Sequence, residues 1–237
     1  MNIFQIYHDK KLIPSYVEEN IKKLNPNYNY KQVNFDEGKK IIKKEFQDEI
    51  IKDKILYCLD NFPRYCHKSD LLRYCLLYIY GGIYIDVDLK PLISFEDMKI
   101  NNVNFITSFG RAGEPYLIKN IKVYPVTSNG IIISDIKNPI LLDLINNIIT
   151  NKKLFDKSPV NRGENVFYLY NYLNEKCLKK NKILEPFKKI EIGNNQNIYM
   201  FNHIILDSLD VVIDKNKKII HTNNSEYNFK RQSSGII

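Results

Sequence analysis

A chain of 237 residues that is 44% hydrophobic can bury one α/β-sized core, and that content excludes a disordered polymer. The net charge of +8 comes from lysines that are scattered or sit on helical faces, such as Lys39, Lys40, Lys43 and Lys44, with no RRM, zinc-finger or helix-turn-helix pattern. No nucleic-acid partner is therefore expected; an anionic small molecule, or peripheral membrane contact through the basic surface, suits the charge equally well.

Cys58, Cys66, Cys75 and Cys177 form no CxxC pair. They read as reduced, buried thiols, with no zinc site implied. The start of the chain has no signal-peptide apolar core, and no window approaches about 18 uninterrupted apolar residues. The expectation is a soluble, cytoplasmic protein, a single domain over 1–237.

In chain order, Ile3 to Tyr7 reads as a first strand. Pro14 stands where a first helical turn tolerates proline, and Val17, Ile21 and Leu24 then mark one apolar helix face. Asn25-Pro26-Asn27 ends that helix, and Tyr28 to Val33 alternates as a second strand. Helices are expected near 37–46, with Asp36 as N-cap, and near 48–60. The segment near 67–80 is apolar on nearly all sides, which predicts a buried helix. Gly81-Gly82 stops it and Ile83 to Ile85 form a strand, with Pro91 closing the segment. Val103 to Ser108 and Ile131 to Ile133 read as strands, Asn138-Pro139 opens a helix through about Ile149, and residues 164–176 form another. Tyr199 to Phe201, Val211 to Ile213 and Ile219 to His221 read as short strands. Alternating strands and helices predict an α/β fold with a mostly parallel central sheet flanked by helices, as in Rossmann-like proteins.

Two constellations in Ser69–Leu89 carry chemistry. Asp86 and Asp88 follow the apolar strand one residue apart, so an extended backbone points both carboxylates the same way. Hard oxygen donors so placed suit Mg²⁺ or Mn²⁺, which share their remaining positions with phosphate and water, and ligands of open α/β sheets bind beyond such strand ends. Asp70 and Arg73, three apart, share one face of the apolar helix. Charges in that setting need a partner or a polar ligand such as a sugar. Further along, Asn129 precedes the run Ile131 to Ile133, and His221 ends the last apolar strand.

Ser69-Asp70-Leu71-Leu72-Arg73-Tyr74, Tyr80-Gly81-Gly82-Ile83-Tyr84 and Asp86-Val87-Asp88 together resemble the signature of DXD-containing glycosyltransferases. The resemblance is nearest to glycosyltransferase family 32, the group of initiating mannosyltransferases and bacterial capsule sugar transferases. The glucosylating domains of large bacterial toxins share the same block. Phe4-Gln5-Ile6-Tyr7 resembles the first strand of these enzymes, and Asn25-Pro26-Asn27-Tyr28 their N-P-x-Y turn. The resemblance implies a GT-A-type fold and a metal-dependent transfer of a sugar from a UDP- or GDP-sugar donor to a glycan, lipid-linked or protein acceptor, with retention of anomeric configuration.

By the same resemblance Asp88 binds Mn²⁺ or Mg²⁺ directly, and Asp86 contacts the ribose or sugar and reaches the metal through water. Asp70, Arg73 and Asn129 hold the donor sugar, while Gln5, Ile6 and Tyr7 line the base pocket with Tyr7 stacking. His221 is a candidate metal ligand, with Ser225 at comparable spacing and Tyr227 in place of the family's Trp. Asn161 to Asn165, with Gly163 before a helix, is a weaker anion-binding candidate. Two other classes are open to the motif: a non-catalytic sugar-nucleotide or glycan binder on the same fold, and a HAD-type phosphatase.

Overall fold

The structure, a computed structural model, describes residues 1–110, 116–123, 126–155, 164–193, 195–206, 209–215 and 217–222. The elements run β1 (Asn2–Ile6), a 3-10 turn (Lys10–Leu12), α1 (Ser15–Leu24), β2 (Asn29–Val33), α2 (Phe35–Glu45), α3 (Glu49–Asn61) and α4 (Tyr65–Tyr80). Then follow β3 (Gly82–Ile85), β4 (Lys90–Pro91), β5 (Phe105–Phe109), the hairpin β6 (Tyr116–Ile118) and β7 (Ile121–Val123), β8 (Thr127–Ser134) and α5 (Pro139–Thr150). A second 3-10 turn (Lys152–Phe155), α6 (Glu164–Leu178), β9 (Lys189–Gly193), β10 (Gln196–Leu206), β11 (Leu209–Asp214) and β12 (Lys217–Thr222) complete the described chain.

The main sheet is ten-stranded, in the order β2-β1-β3-β8-β5-β10-β11-β12-β4, with β9 paired to β10. It is mixed rather than mostly parallel. β1 pairs in parallel with β2 and β3, and β5 with β10. β8 runs antiparallel to both β3 and β5, and β10, β11, β12 and β4 follow one another antiparallel. The cause lies in the connections. Parallel neighbours need a crossover, usually a helix, and α1 to α4 supply it for β1, β2 and β3. Between β3 and β8 no α-helix intervenes among the described residues, so those strands reverse. Only four residues separate β3 from β4, yet the two stand far apart in the strand order, so the sheet curls back on itself.

Strand alternation sorts side chains between two cores. Phe4, Tyr84, Phe105, Ile132, Ile198 and Met200 face the helix layer, packing with Leu72, Leu76, Leu141 and Leu169. Ile3, Ile83, Ile85, Ile106, Ile131, Ile133, Tyr199 and Phe201 face the other way, toward Ile21, Phe95, Met98 and the returning Val212, Ile219 and Ile220. α4 is the buried helix expected from its composition. No helix among the described residues is long and apolar enough to cross a membrane.

Local signals set the element ends. Asn34, not Asp36, caps α2: its side chain accepts from the Glu37 amide and Glu37 answers to the Asn34 amide, a capping box that leaves Asp36 in the first turn. Asp48 caps α3 and Asn138 caps α5. α4 ends at Gly81, φ +61°, followed by Gly82, φ +107°. A Cβ on Gly82 would lie 2.4 Å from the Asn2 carbonyl oxygen. The glycine pair thus lets the chain turn from α4 directly into β3 beside β1. Gly82→Ala should lower unfolding free energy by about 2 kcal/mol or more, from strain at positive φ plus the backbone clash. Urea denaturation checks this; a change below about 0.5 kcal/mol would contradict it.

Candidate functional site

The parallel strands β1, β2 and β3 end together, and antiparallel β8 begins beside them, with Ile85 in register with Ile131. Residues just after β1 and β3, and just before the middle of β8, therefore meet at one edge of the sheet. Asp86 leaves β3 there, its amide donating to the Gly130 carbonyl at 2.8 Å.

Asp86 to Leu89 is a tight turn closed by the Leu89 amide on the Asp86 carbonyl at 3.1 Å, not an extended strand. The expected alternation nevertheless survives: Val87 and Leu89 are buried, and Asp86 and Asp88 are both half-buried. Val87 packs with Ile13, Val17 and Tyr7, which pins the turn against α1. Gly130 lies beneath it, where a Cβ would come 2.9 Å from Asp86 Oδ2 and 3.1 Å from Leu89 Cδ1.

Arg73 is the centre of the cluster and only 5% exposed. Its Nη2 lies 3.1 Å from Asp70 Oδ1 and its Nη1 3.2 Å from Asp86 Oδ1. Nη1 also donates to the Asn129 carbonyl at 2.6 Å, and Nε to the Ser69 carbonyl at 3.3 Å. The guanidinium carbon stands 4.4 Å from the centroid of the Tyr84 ring, a cation–π contact. Asn129 Nδ2 donates to Asp70 Oδ1 at 2.8 Å, and the Tyr84 hydroxyl donates to Asp86 Oδ1 at 2.5 Å. Three elements, α4, β3 and β8, are thus tied through one buried cation. Burial works against the Arg73 charge, but Asp86, Tyr84 and Asp70 outweigh it and push its pKa up. The Asp86 carboxyl is pushed up as well, first by burial, with Arg73 opposing and Asp88 adding to the rise.

Asp70 (8% exposed) and Asn129 (9%) join this network, with Asp86 and Asp88 on the adjoining turn. Arg73 spends its donors on protein groups, so its local role is to hold Asp70, Asp86 and Asn129 in place. Gln5 and Ile6 are buried: Ile6 in the helix-side core, and Gln5 with its amide donating to the Asp86 carbonyl at 3.3 Å. Tyr30 donates to Gln5 Oε1 at 2.6 Å and accepts from Gln32 at 2.7 Å, so a polar chain runs from β2 to the turn. Tyr7 is half-buried beside Asp88; burial first, then Asp88, raises the pKa of its hydroxyl. Its ring lies 4.5 Å from that of His8, which stacks on Tyr65 at 5.0 Å and 5°.

His221 stands in register with Lys90, two residues past Asp88, because β12 pairs with β4. Its side chain, like Ser225 and Tyr227, lies outside the described residues, as do Asn161 to Gly163. Sequence reasoning missed Tyr84, Gly130 and Tyr30. The first two carried a signal, since Tyr84 is two before Asp86 on the same strand and Gly130 follows Asn129.

Among the described residues no three His, Cys, Asp or Glu side chains come together as a cation cage. Asp86 and Asp88 fit a different kind of site, in which one or two carboxylates hold Mg²⁺ or Mn²⁺ and substrate phosphates and water complete the shell. Asp88 adds to the rise of the Asp86 pKa, a like-charge cost that a shared cation would offset.

Residues 14–106 match the family described as "Glycosyltransferase sugar-binding region containing DXD motif". The matched span includes α1 to α4 and Asp70, Arg73, Asp86 and Asp88, whereas Asn129 and His221 lie beyond it. No curated protein matches. Among solved structures the chain is similar to "PaToxG Glycosyltransferase", with 20% identity over 75% of this chain and 70% of that one and a TM-score of 0.46.

Replacing Arg73 with Met leaves Asp70 and Asp86 facing each other without their cation, and should cost about 3–5 kcal/mol of stability. Tyr84→Phe removes one hydrogen bond and should cost about 1 kcal/mol. Chemical denaturation of both variants checks the ranking; equal losses would contradict the central place given to Arg73.

Proposed function

We propose that this protein is a divalent-cation-dependent glycosyltransferase that moves a sugar from a nucleoside-diphosphate donor to a glycan, lipid-linked or protein acceptor. The observation that carries the reading is the convergence of Asp86 and Asp88 with Asp70 and Asn129 at one sheet edge. The similarity of residues 14–106 to the DXD sugar-binding region supports it.

In this reading Asp88 and Asp86 would hold Mn²⁺ or Mg²⁺, which when bound would supply charge neutralisation for the departing diphosphate. The chain's own residues do the positioning. Tyr84 and Arg73 fix one oxygen of Asp86, and Gly130 and Val87 fix the backbone that carries it. Asp70, steadied by Arg73 and Asn129, accepts hydrogen bonds from hydroxyls of the donor sugar. Tyr7 takes the base by stacking, with His8 and Tyr65 behind it. Gln5 acts one layer back, holding the Asp86 carbonyl rather than touching the nucleotide. His221, whose backbone lies in register with Lys90, would be a further candidate ligand for the cation. The transferring carbon becomes oxocarbenium-like as the bond to diphosphate breaks. Retention of configuration is the outcome proposed, by attack from the face the leaving group departs.

Asp88→Asn should reduce Mn²⁺-dependent hydrolysis or transfer, across a panel of nucleotide sugars, by about a hundredfold or more. Its melting temperature in EDTA should stay within about 3 °C of the parent, since Asp88 is half-exposed on a surface turn. The parent should be stabilised by Mn²⁺ in proportion to binding, and the variant should lose that gain. Full activity of the variant would overturn the cation assignment, and measurable donor affinity with no turnover in the parent would favour a non-catalytic binder.

A further inference from the structure

A groove of about 720 Å³ opens on the outer side of the helix layer, between α3, the end of α5 and the 3-10 turn that follows it. It does not include any residue of the sugar-transfer site. Its walls are apolar and aromatic: Tyr57, Cys58, Ile149 and Phe155, with the Tyr57 and Phe155 rings 5.9 Å apart. Tyr57 is 61% exposed, a large ring left open to solvent on this face. Phe155 in turn packs on Phe62 at 4.9 Å, so the floor is a fixed part of the core.

The rim is polar and its charge is unbalanced. Lys54 and Lys152 both line the groove, and among the described residues neither forms an ion pair. Among the described residues Asp53 is the one carboxylate on the rim. Two uncommitted ammonium groups beside an apolar trough are complementary to a molecule with one anionic end and one apolar body. The volume lies within the roughly 300–1,000 Å³ of small-molecule sites.

We propose that this groove binds a single-chain anionic amphiphile, its tail lying between Tyr57, Ile149 and Phe155 and its phosphate or carboxylate meeting Lys54 and Lys152. The assignment does not rest on the sugar-transfer reading. Calorimetric titration of the full chain with monomeric dodecyl phosphate, below its micelle concentration, should show saturable one-to-one binding. Inorganic phosphate and uncharged dodecyl maltoside should bind at least about tenfold more weakly, since each lacks one half of the recognition. The double variant Lys54→Glu/Lys152→Glu should weaken dodecyl phosphate by about tenfold or more, and Ile149→Trp, which fills the trough, should abolish binding. Lys180→Glu, a charge change elsewhere, should leave it unchanged. Because both groove lysines are exposed, the double variant keeps the test decisive even if Ile149→Trp folds poorly. Absence of binding, equal affinity for the uncharged detergent, or indifference to the lysine changes would overturn the proposal. So would a dimer in solution that Ile149→Trp dissociates, which would identify a second copy as the occupant.

Discussion

Arg73 is a buried cation with no escape to solvent, and the geometry of the sheet edge follows from satisfying it. A lone guanidinium in the interior is strongly disfavoured, so each group around it answers a need: Asp70 and Asp86 for charge, the Asn129 and Ser69 carbonyls for donors, the Tyr84 face for the π surface. In meeting that need, α4 is locked to β3 and to β8. The apolar remainder of α4 then acts as a rigid mount, because its side chains are packed against the sheet on one side and against α3 and α5 on the other. An isolated ion pair would contribute little. Here the removal of one member strands two carboxylates, which is why a polar centre can organise a site inside a hydrophobic helix.

That mount explains the division of labour at the edge. Asp86 has one oxygen committed to Tyr84 and Arg73 and its backbone committed to Gly130 and Gln5, so it is positioned rather than free. Asp88 sits two residues on, on the same turn and half-exposed. The curl of the sheet adds a second consequence. Returning β12 to pair with β4 sets His221 in register two residues beyond Asp88, although 133 positions separate them in the chain. A fold with its strands in a flat open row would leave those two segments at opposite margins.

The sequence disclosed the parts of this arrangement that are local. The apolar run of α4, the Gly81-Gly82 break and the spacing of Asp86 and Asp88 are written within 21 residues, and each took the expected form apart from the turn that replaces an extended strand. Pairings over long range were not legible. Nothing in Ile131 to Ile133 declares that β8 runs antiparallel to β3, because a buried strand has the same composition in either direction. Expecting a mostly parallel sheet extended the helix-linked pattern of residues 1–85 into the stretch from β3 to β8, where no α-helix intervenes among the described residues. The protein partners of Arg73 were hidden for a related reason. Its polar character in an apolar helix pointed to a ligand, whereas the partners were Asn129 and Asp86, brought to it by strands whose placement only the fold reveals.

The central claim is that the Asp86–Asp88 turn receives a diphosphate through a divalent cation. Isothermal titration of the unmodified chain with UDP and with GDP, each in the presence of Mn²⁺ and again in EDTA, tests it most directly. The account predicts saturable binding of at least one of the two nucleotides with Mn²⁺ and at least about a tenfold loss in EDTA. Affinity that is the same with and without the cation would contradict it.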